Sequence, residues 1–186
     1  MKSFAIKDLM VPISEYATVH DDATLHEAVM ALHKAQQEYD TSKTQHRAIL
    51  VCDKANKVIG KINHRDIIKS LEPKYDLIEG PHPFSQFGFS KTFLNSLINQ
   101  HLLWDEPFNE ICRKGSSLKV KDIMCTITMG EFVKLDSTLN EAVHLFILGR
   151  HQGLLVKDGK NIVGILRLTD VYDEISSMIM ECNIEN

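Results

Sequence analysis

The residues that could do chemistry in this 186-residue chain are nine histidines, four cysteines and a balanced set of charged side chains. His26 and His33 are seven apart, as are His144 and His151, and HExxH and HxxxH are absent. Neither spacing places two imidazoles on adjacent helical turns, as a zinc pair requires, so no metal is expected and a zinc enzyme is rejected. Cys52, Cys112, Cys125 and Cys182 are scattered without a CxxC. They read as reduced thiols, mostly buried as small core hydrophobes. No P-loop and no nucleophile–base arrangement is present, so the chain is not expected to be an enzyme. What remains is an aspartate, Asp66 or Asp170, where a helical pattern starts, with cationic side chains around it. A carboxylate can accept both O–H groups of a diol. A helix start offers N–H groups and a positive dipole end to phosphate. Asp is also a favoured plain N-cap, and the residues alone leave both roles open.

The elements that would position these groups are written twice. Residues 6–29 and 120–143 share Lys-Asp-x-Met and Thr-Leu-x-Glu-Ala-Val at a constant separation of 114 positions. A second block, 48–67, matches 153–171, with Gly60 and Gly164, and Asp66 and Asp170, each 104 apart. The change in separation assigns extra residues to the first copy, mostly over Glu38–Thr44. Thr24 with Glu27, and Thr138 with Glu141, form capping boxes. Behind them Leu25, Ala28, Val29 and Leu32, and Leu139, Ala142, Val143 and Phe146, make apolar helical faces. Ala48–Cys52 and Leu154–Val156 read as strands buried on both sides. Lys57–Ile62 and Asn161–Leu166 return as hairpin partners. The unit is β-α-β-β-α. Helices on one face of a small sheet leave its other face bare, and a second copy can cover it.

Together these motifs resemble a tandem CBS-domain pair, the Bateman module, over about 130 of the 186 residues. The resemblance implies an α/β (α+β) fold of two β-α-β-β-α CBS repeats packed sheet to sheet with pseudo-two-fold symmetry. It assigns 1–72 to the first repeat and 116–186 to the second repeat and a C-terminal helix. It also implies two clefts for adenosine-containing ligands, regulation rather than catalysis, and a homodimer. The family's Ser/Thr-x-Ser/Thr-Asp element, whose Asp takes the ribose hydroxyls, falls on Asn63-His64-Arg65-Asp66 and Arg167-Leu168-Thr169-Asp170. Arg65 and Arg167 depart from that pattern; they suit phosphate, and equally suit the neighbouring Asp. His46-Arg47 matches the position where AMP-binding members contact phosphate, and Arg150-His151-Gln152 is its counterpart. On this basis one cleft should combine Asp66, Arg65, Asn63, His46 and Arg47 with Thr126 and Ile127. The other should combine Asp170, Thr169, Arg167 and His151 with Pro12, Ile13 and Ala17. The first gathers more cations and is favoured for a phosphorylated ligand.

Residues 73–115 do not repeat and hold four of the five prolines, five of the eight phenylalanines and the single tryptophan. Such a segment packs on something rather than serving as a polar linker. Ser90 is expected to cap a helix over Lys91–Leu103, with Phe93, Leu94, Leu97, Ile98 and Leu102 as its apolar side. A second short helix should follow Asp105 and Pro107, with Phe108, Ile111 and Cys112 apolar and Gly115 as its stop. This is a helical arm against the repeats or a dimer mate, and its aromatic surface could meet a partner.

The leading expectation is a stand-alone cytoplasmic regulatory module. It would need no cofactor, sense AMP or another adenine nucleotide, and signal to a separate, unknown effector protein. S-adenosylmethionine, NAD or a cyclic dinucleotide would use the same clefts. The alternative is a structural adaptor whose clefts are blocked by Arg65 and Arg167. A net charge of −4 argues against wrapping nucleic acid. No apolar run approaches the ~18 residues of a membrane span, and no signal peptide is evident.

Overall fold

The structure, a computed structural model, describes residues 5–38, 46–78 and 90–182. In chain order the first repeat runs α1 (Ile6–Leu9), β1 (Val11–Pro12), β2 (Thr18–His20), α2 (Leu25–Glu38), β3 (Ala48–Cys52), β4 (Val58–Asn63) and α3 (His64–Ser70). The insert contributes α4 (Tyr75–Ile78), α5 (Lys91–His101) and α6 (Phe108–Gly115). The second repeat runs α7 (Val120–Ile123), β5 (Cys125–Thr126), β6 (Phe132–Lys134), α8 (Leu139–Gly149), β7 (Gly153–Asp158), β8 (Asn161–Arg167) and α9 (Leu168–Glu181).

Local signals in the sequence account for these elements. The Thr24 hydroxyl accepts from Glu27 N–H while the Glu27 carboxylate accepts from Thr24 N–H, and Thr138 with Glu141 repeats the arrangement. Along β3 the side chains alternate between two cores. Ile49 and Val51 face the helices of their own repeat, and Leu50 and Cys52 face the other sheet. That double burial is why the run is continuously apolar. Of the extra residues expected over Glu38–Thr44, Glu38 ends α2 and the rest lie outside the described residues.

Two four-stranded sheets form, with orders β2-β3-β4-β5 and β1-β8-β7-β6. Each takes its last strand from the other repeat: β5 pairs antiparallel with β4, and β1 with β8. The short lead-in helices cross with them. Ile6 of α1 is buried among Phe146, Leu154 and Val171 of the second repeat. Val120 of α7 is buried among Leu32, Ile49 and Ile62 of the first. Between the sheets lies a third core of Val11, Tyr16, Leu50, Cys52, Val58, Leu155 and Ile165, drawn from both repeats.

Gly60 and Gly164 make the crossing possible. A Cβ on Gly164 would lie 2.6 Å from the Val11 carbonyl oxygen, and one on Gly60 would lie 2.7 Å from the Met124 sulfur. Glycine is required there by the approach of the other repeat's chain rather than by its dihedral angles.

The insert is tied down at one end. Buried Glu72 accepts from the backbone N–H groups of Lys74 and Trp104, at 3.3 and 2.8 Å. The Trp104 indole donates to the Tyr75 hydroxyl at 2.9 Å and stacks on Phe108. Ser90 caps α5 as expected, accepting from Phe93 N–H. The helix stops at His101, where Leu102 turns left-handed at φ 50°. Of its apolar side, Leu97 is half-buried and Phe93, Leu94, Ile98 and Leu102 are exposed. On α6, Ile111 is buried but Phe108 and Cys112 are exposed, and Gly115 is the helix's last residue rather than its stop. The expectation of mostly buried cysteines is corrected as well. Only Cys52 is buried; Cys112, Cys125 and Cys182 are exposed, because they lie on outward helix faces or the sheet edge.

Candidate functional site

The two aspartates sit three residues into their helices and are not the caps themselves. In the first repeat Asn63 holds the N-cap position, and its side-chain oxygen accepts from the N–H groups of Arg65 and Asp66. Asp66 answers by accepting from Asn63 N–H at 2.9 Å. In the second repeat the cap position belongs to Arg167, which has no capping oxygen. Its guanidinium forks onto Asp170 instead, Nε donating to one carboxylate oxygen at 2.6 Å and an Nη to the other at 2.5 Å. The pair is largely enclosed, with Arg167 7% and Asp170 16% exposed at the side chain. The sequence left open whether Arg167 would meet a ligand or its own aspartate; here it holds the aspartate.

Strand exchange puts each aspartate beside the other repeat's lead-in. Cys125 of β5 lies against Asp66; partial burial and the Asp66 carboxylate push its thiol up from the ordinary value. Thr126 and Thr128 are exposed there, and Ile127 packs at the margin of the inter-sheet core. Lys61 of β4 reaches across and donates to Glu131. Burial alone would raise the Glu131 carboxyl, but the Lys61 ammonium and the Thr128 donors bring it below its usual value. No sequence signal links Lys61 to Glu131. They meet only because the lead-in crosses over.

Both histidines fall in the opposite cleft from the one expected. His46 is fully buried with its ring 4.5 Å from that of Tyr16. Burial first, and then the Arg167 guanidinium, hold its pKa down, against the pull of Asp170 and Glu15. It therefore belongs with Arg167, Asp170, Ile13 and Ala17, not with Asp66. His151 lies over Gly130, its Nε2 3.7 Å from where a Cβ would stand, and so joins the lead-in that carries Thr126 and Ile127. The physical reason is that each histidine immediately precedes the strand paired to its own repeat's lead-in turn, while the aspartate comes from the other repeat. Arg47 and Arg65 are exposed, and Pro12, Ile13 and Thr169 are half-buried.

The two clefts therefore differ. The Asp170 cleft is occupied by buried Tyr16, His46 and Arg167. The Asp66 cleft has Gly130 where Tyr16 stands in the other, Asn63 in place of Arg167, and exposed Thr126, Thr128 and Arg65 along its rim. Two surface hollows lie away from both. One, of about 370 Å³, is between Leu71 and Lys74 of the first repeat and Glu106, Ile111 and Lys114 of the insert. The other, of about 870 Å³, runs along β6 beside Lys7, Lys157 and Gly159. Among the described residues no cluster of His, Cys, Asp or Glu could hold a metal ion. No described helix is long and apolar enough to cross a membrane.

The family model of the CBS domain matches the chain twice, at residues 6–73 and 120–177. The chain belongs to the CBS-domain family. Solved CBS structures share its fold. It is similar to protein MJ1004 from Methanocaldococcus jannaschii, at 15% identity and a TM-score of 0.56, over 94% of this chain and 60% of that one. It is similar to CBSX2, solved in complex with AMP, at 17% identity and a TM-score of 0.57, over 96% and 99% of the two chains. The cytosolic domain of the Mg2+ channel MgtE, solved with ATP, matches at 19% identity and a TM-score of 0.55, over 91% of this chain and 48% of that one. The chain thus spans 60% of MJ1004 and about half of the MgtE chain. At these identities the likeness is one of fold. No curated protein sequence matches the chain. The matched regions contain both lead-ins, both glycines and both aspartates, so the exchanged-strand architecture lies within two CBS repeats.

Proposed function

We propose that this CBS pair is a regulatory module, not an enzyme, that binds an adenine nucleotide in the Asp66 cleft and signals occupancy to a separate effector protein. One observation carries the choice of cleft. Among the described residues Asp66 is shared with the Asn63 backbone N–H and the Cys125 thiol, beside a lead-in that is exposed at Thr126 and Gly130. A carboxylate so placed can accept a ribose diol. Arg65 is the chain neighbour of Asp66 and His151 lies over Gly130, and both side-chain types suit an anionic group. The bound AMP of CBSX2 and ATP of the MgtE domain support the ligand class. The division into repeats at 1–72 and 116–186, with the 73–115 insert between, is part of the same reading, as is a cytoplasmic setting.

A homodimer has its own support. Ile147 and Leu148 on α8, and Tyr172, Ile179 and Met180 on α9, are large apolar side chains left exposed. Light scattering on a sizing column should report twice the 21.1 kDa chain mass. The uncovered side of α5 favours a second reading, a structural adaptor that works through the insert.

A thermal-shift panel separates these. AMP, ADP and ATP are tested beside S-adenosylmethionine, NAD and a cyclic dinucleotide. A true ligand at ~100 times its Kd adds roughly 2.7 kcal/mol. No shift with any of the six sinks the sensor reading and leaves the adaptor.

A further inference from the structure

The pseudo-symmetry of the chain sets two clefts side by side, and their differences can be read position by position. The helix behind each aspartate is capped by residue 63 in one repeat and residue 167 in the other. In the first repeat that residue is Asn63, which satisfies backbone N–H groups and leaves the cleft floor to Asp66. In the second it is Arg167, which spends both oxygens of Asp170 on its own fork. Gly130 carries no side chain in the first cleft and lies beneath His151, whereas Tyr16 stands at the same position in the second, packed on His46 with both residues buried. The Asp170 carboxylate is therefore already held by a cation, and Tyr16 is packed on the His46 ring beside it.

From this we infer that Arg167 is the built-in occupant of the Asp170 cleft, so that each chain takes one nucleotide, at Asp66, rather than two. The inference rests on the nucleotide reading above. A diol seeking Asp170 must displace a bidentate, enclosed guanidinium, and a buried cation stripped of its partner is strongly disfavoured. A diol seeking Asp66 competes only with neutral groups, the Asn63 backbone N–H and the Cys125 thiol, among the described residues. At the helix cap the inequivalence is Arg167 against Asn63, and Tyr16 against Gly130 adds to it.

Calorimetric titration of the full chain with AMP tests this. The unmodified chain should bind one equivalent. Asp66→Ala should abolish the binding, whereas Asp170→Asn should keep it within about threefold. Arg167→Asn reproduces Asn63 and supplies a favourable cap, so the helix start is preserved. With a melting transition retained, this variant should show a second, weaker equivalent, and adding Asp170→Asn to it should remove that equivalent again. Two equivalents in the unmodified chain, loss of binding in Asp170→Asn, or a single equivalent in folded Arg167→Asn would overturn the inference. Absence of AMP binding in every protein is a different result: it overturns the nucleotide reading, and this inference with it.

Discussion

Replacing Gly164 by alanine tests the crossing of the two repeats more directly than any change in the clefts. The added carbon would stand 2.6 Å from the Val11 carbonyl oxygen, 2.9 Å from the Met10 sulfur and 3.3 Å from the Val11 carbonyl carbon. Ordinary contact begins near 3.4 Å, so β1 must retreat by roughly 0.8 Å from β8. β1 is two residues long, paired only at Val11 with Ile165 and Pro12 with Gly164, and it anchors buried Val11 in the inter-sheet core. It cannot retreat without loosening both, and overpacking of this kind costs about 2–3 kcal/mol. Gly60→Ala is the internal control. There the nearest atom is the Met124 sulfur at 2.7 Å, the end of a flexible side chain, and the backbone oxygen of Cys125 is farther, at 3.1 Å. The thioether can swing aside, so about 1 kcal/mol is expected. For a chain of this length each kcal/mol moves the melting point by about 2–4 °C. Thermal unfolding followed by circular dichroism should thus show Gly164→Ala falling by about 5–10 °C and Gly60→Ala by about 2–4 °C. Equal losses, or the reverse order, would refute the claim that backbone contact with the crossing strand is what demands glycine.

Other expectations concern the supports around the site. Glu72→Ala leaves the N–H groups of Lys74 and Trp104 without their acceptor and should cost about 1–3 kcal/mol. The emission of the only tryptophan should shift to longer wavelength as the insert loosens, and unchanged emission would show that Glu72 is not the clamp. Asn63→Ala removes the cap of α3 and should cost about 1 kcal/mol by urea unfolding; a neutral result would show that the capping box contributes nothing. His46 has its folded pKa held below 6.5 by burial and Arg167, so below pH 6.5 the unfolded chain takes up a proton that the folded chain refuses. Stability should be intact above that pH and fall beneath it, by no more than about 1.4 kcal/mol per unit. Urea midpoints at pH 7.5 and 5.5 should show His46→Phe losing part of this slope, and identical slopes would remove His46 as its source.

Much of the fold is legible in the sequence because the information is local and written twice. Thr24 with Glu27 and Thr138 with Glu141 announce their helices, and the unbroken apolar runs of β3 and β7 announce burial on both faces. The exchange of lead-ins is not legible. Val11–Pro12 and Cys125–Thr126 are two-residue strands, too short for any alternation to show which sheet they join. A trace was present in Gly60 and Gly164, repeated at strand positions where glycine is unfavourable unless another chain segment comes close. The placement of His46 and His151 depends on that exchange, so each was expected in the wrong cleft. The Arg167–Asp170 fork is one of the two roles the sequence leaves open for Arg167, and the spacing of three at a helix start favours it. The ion pair of Lys61 with Glu131 could not be anticipated, because seventy positions separate its partners.

The exchange also explains how a small cleft could influence the whole chain. β5 and α7 are continuous with the second repeat, yet Val120 is locked in the first repeat's core and Thr126 pairs with Gly60. Asp66 stands at the end of the strand that β5 joins. Any group bound between Asp66 and residues 126–130 therefore bridges two segments belonging to different repeats. Strain on the β4–β5 contact has a path along α7 toward α6, and the residues that follow α6 are hydrogen-bonded to the start of α2 through Ser116 and Leu118. The insert is clamped to the same region by Glu72 and Trp104. A cleft built wholly within one repeat would lack this connection. Because the lead-ins cross, a group bound at Asp66 would be linked by covalent chain and backbone hydrogen bonds to the insert, where Phe93, Leu94, Ile98 and Leu102 are exposed.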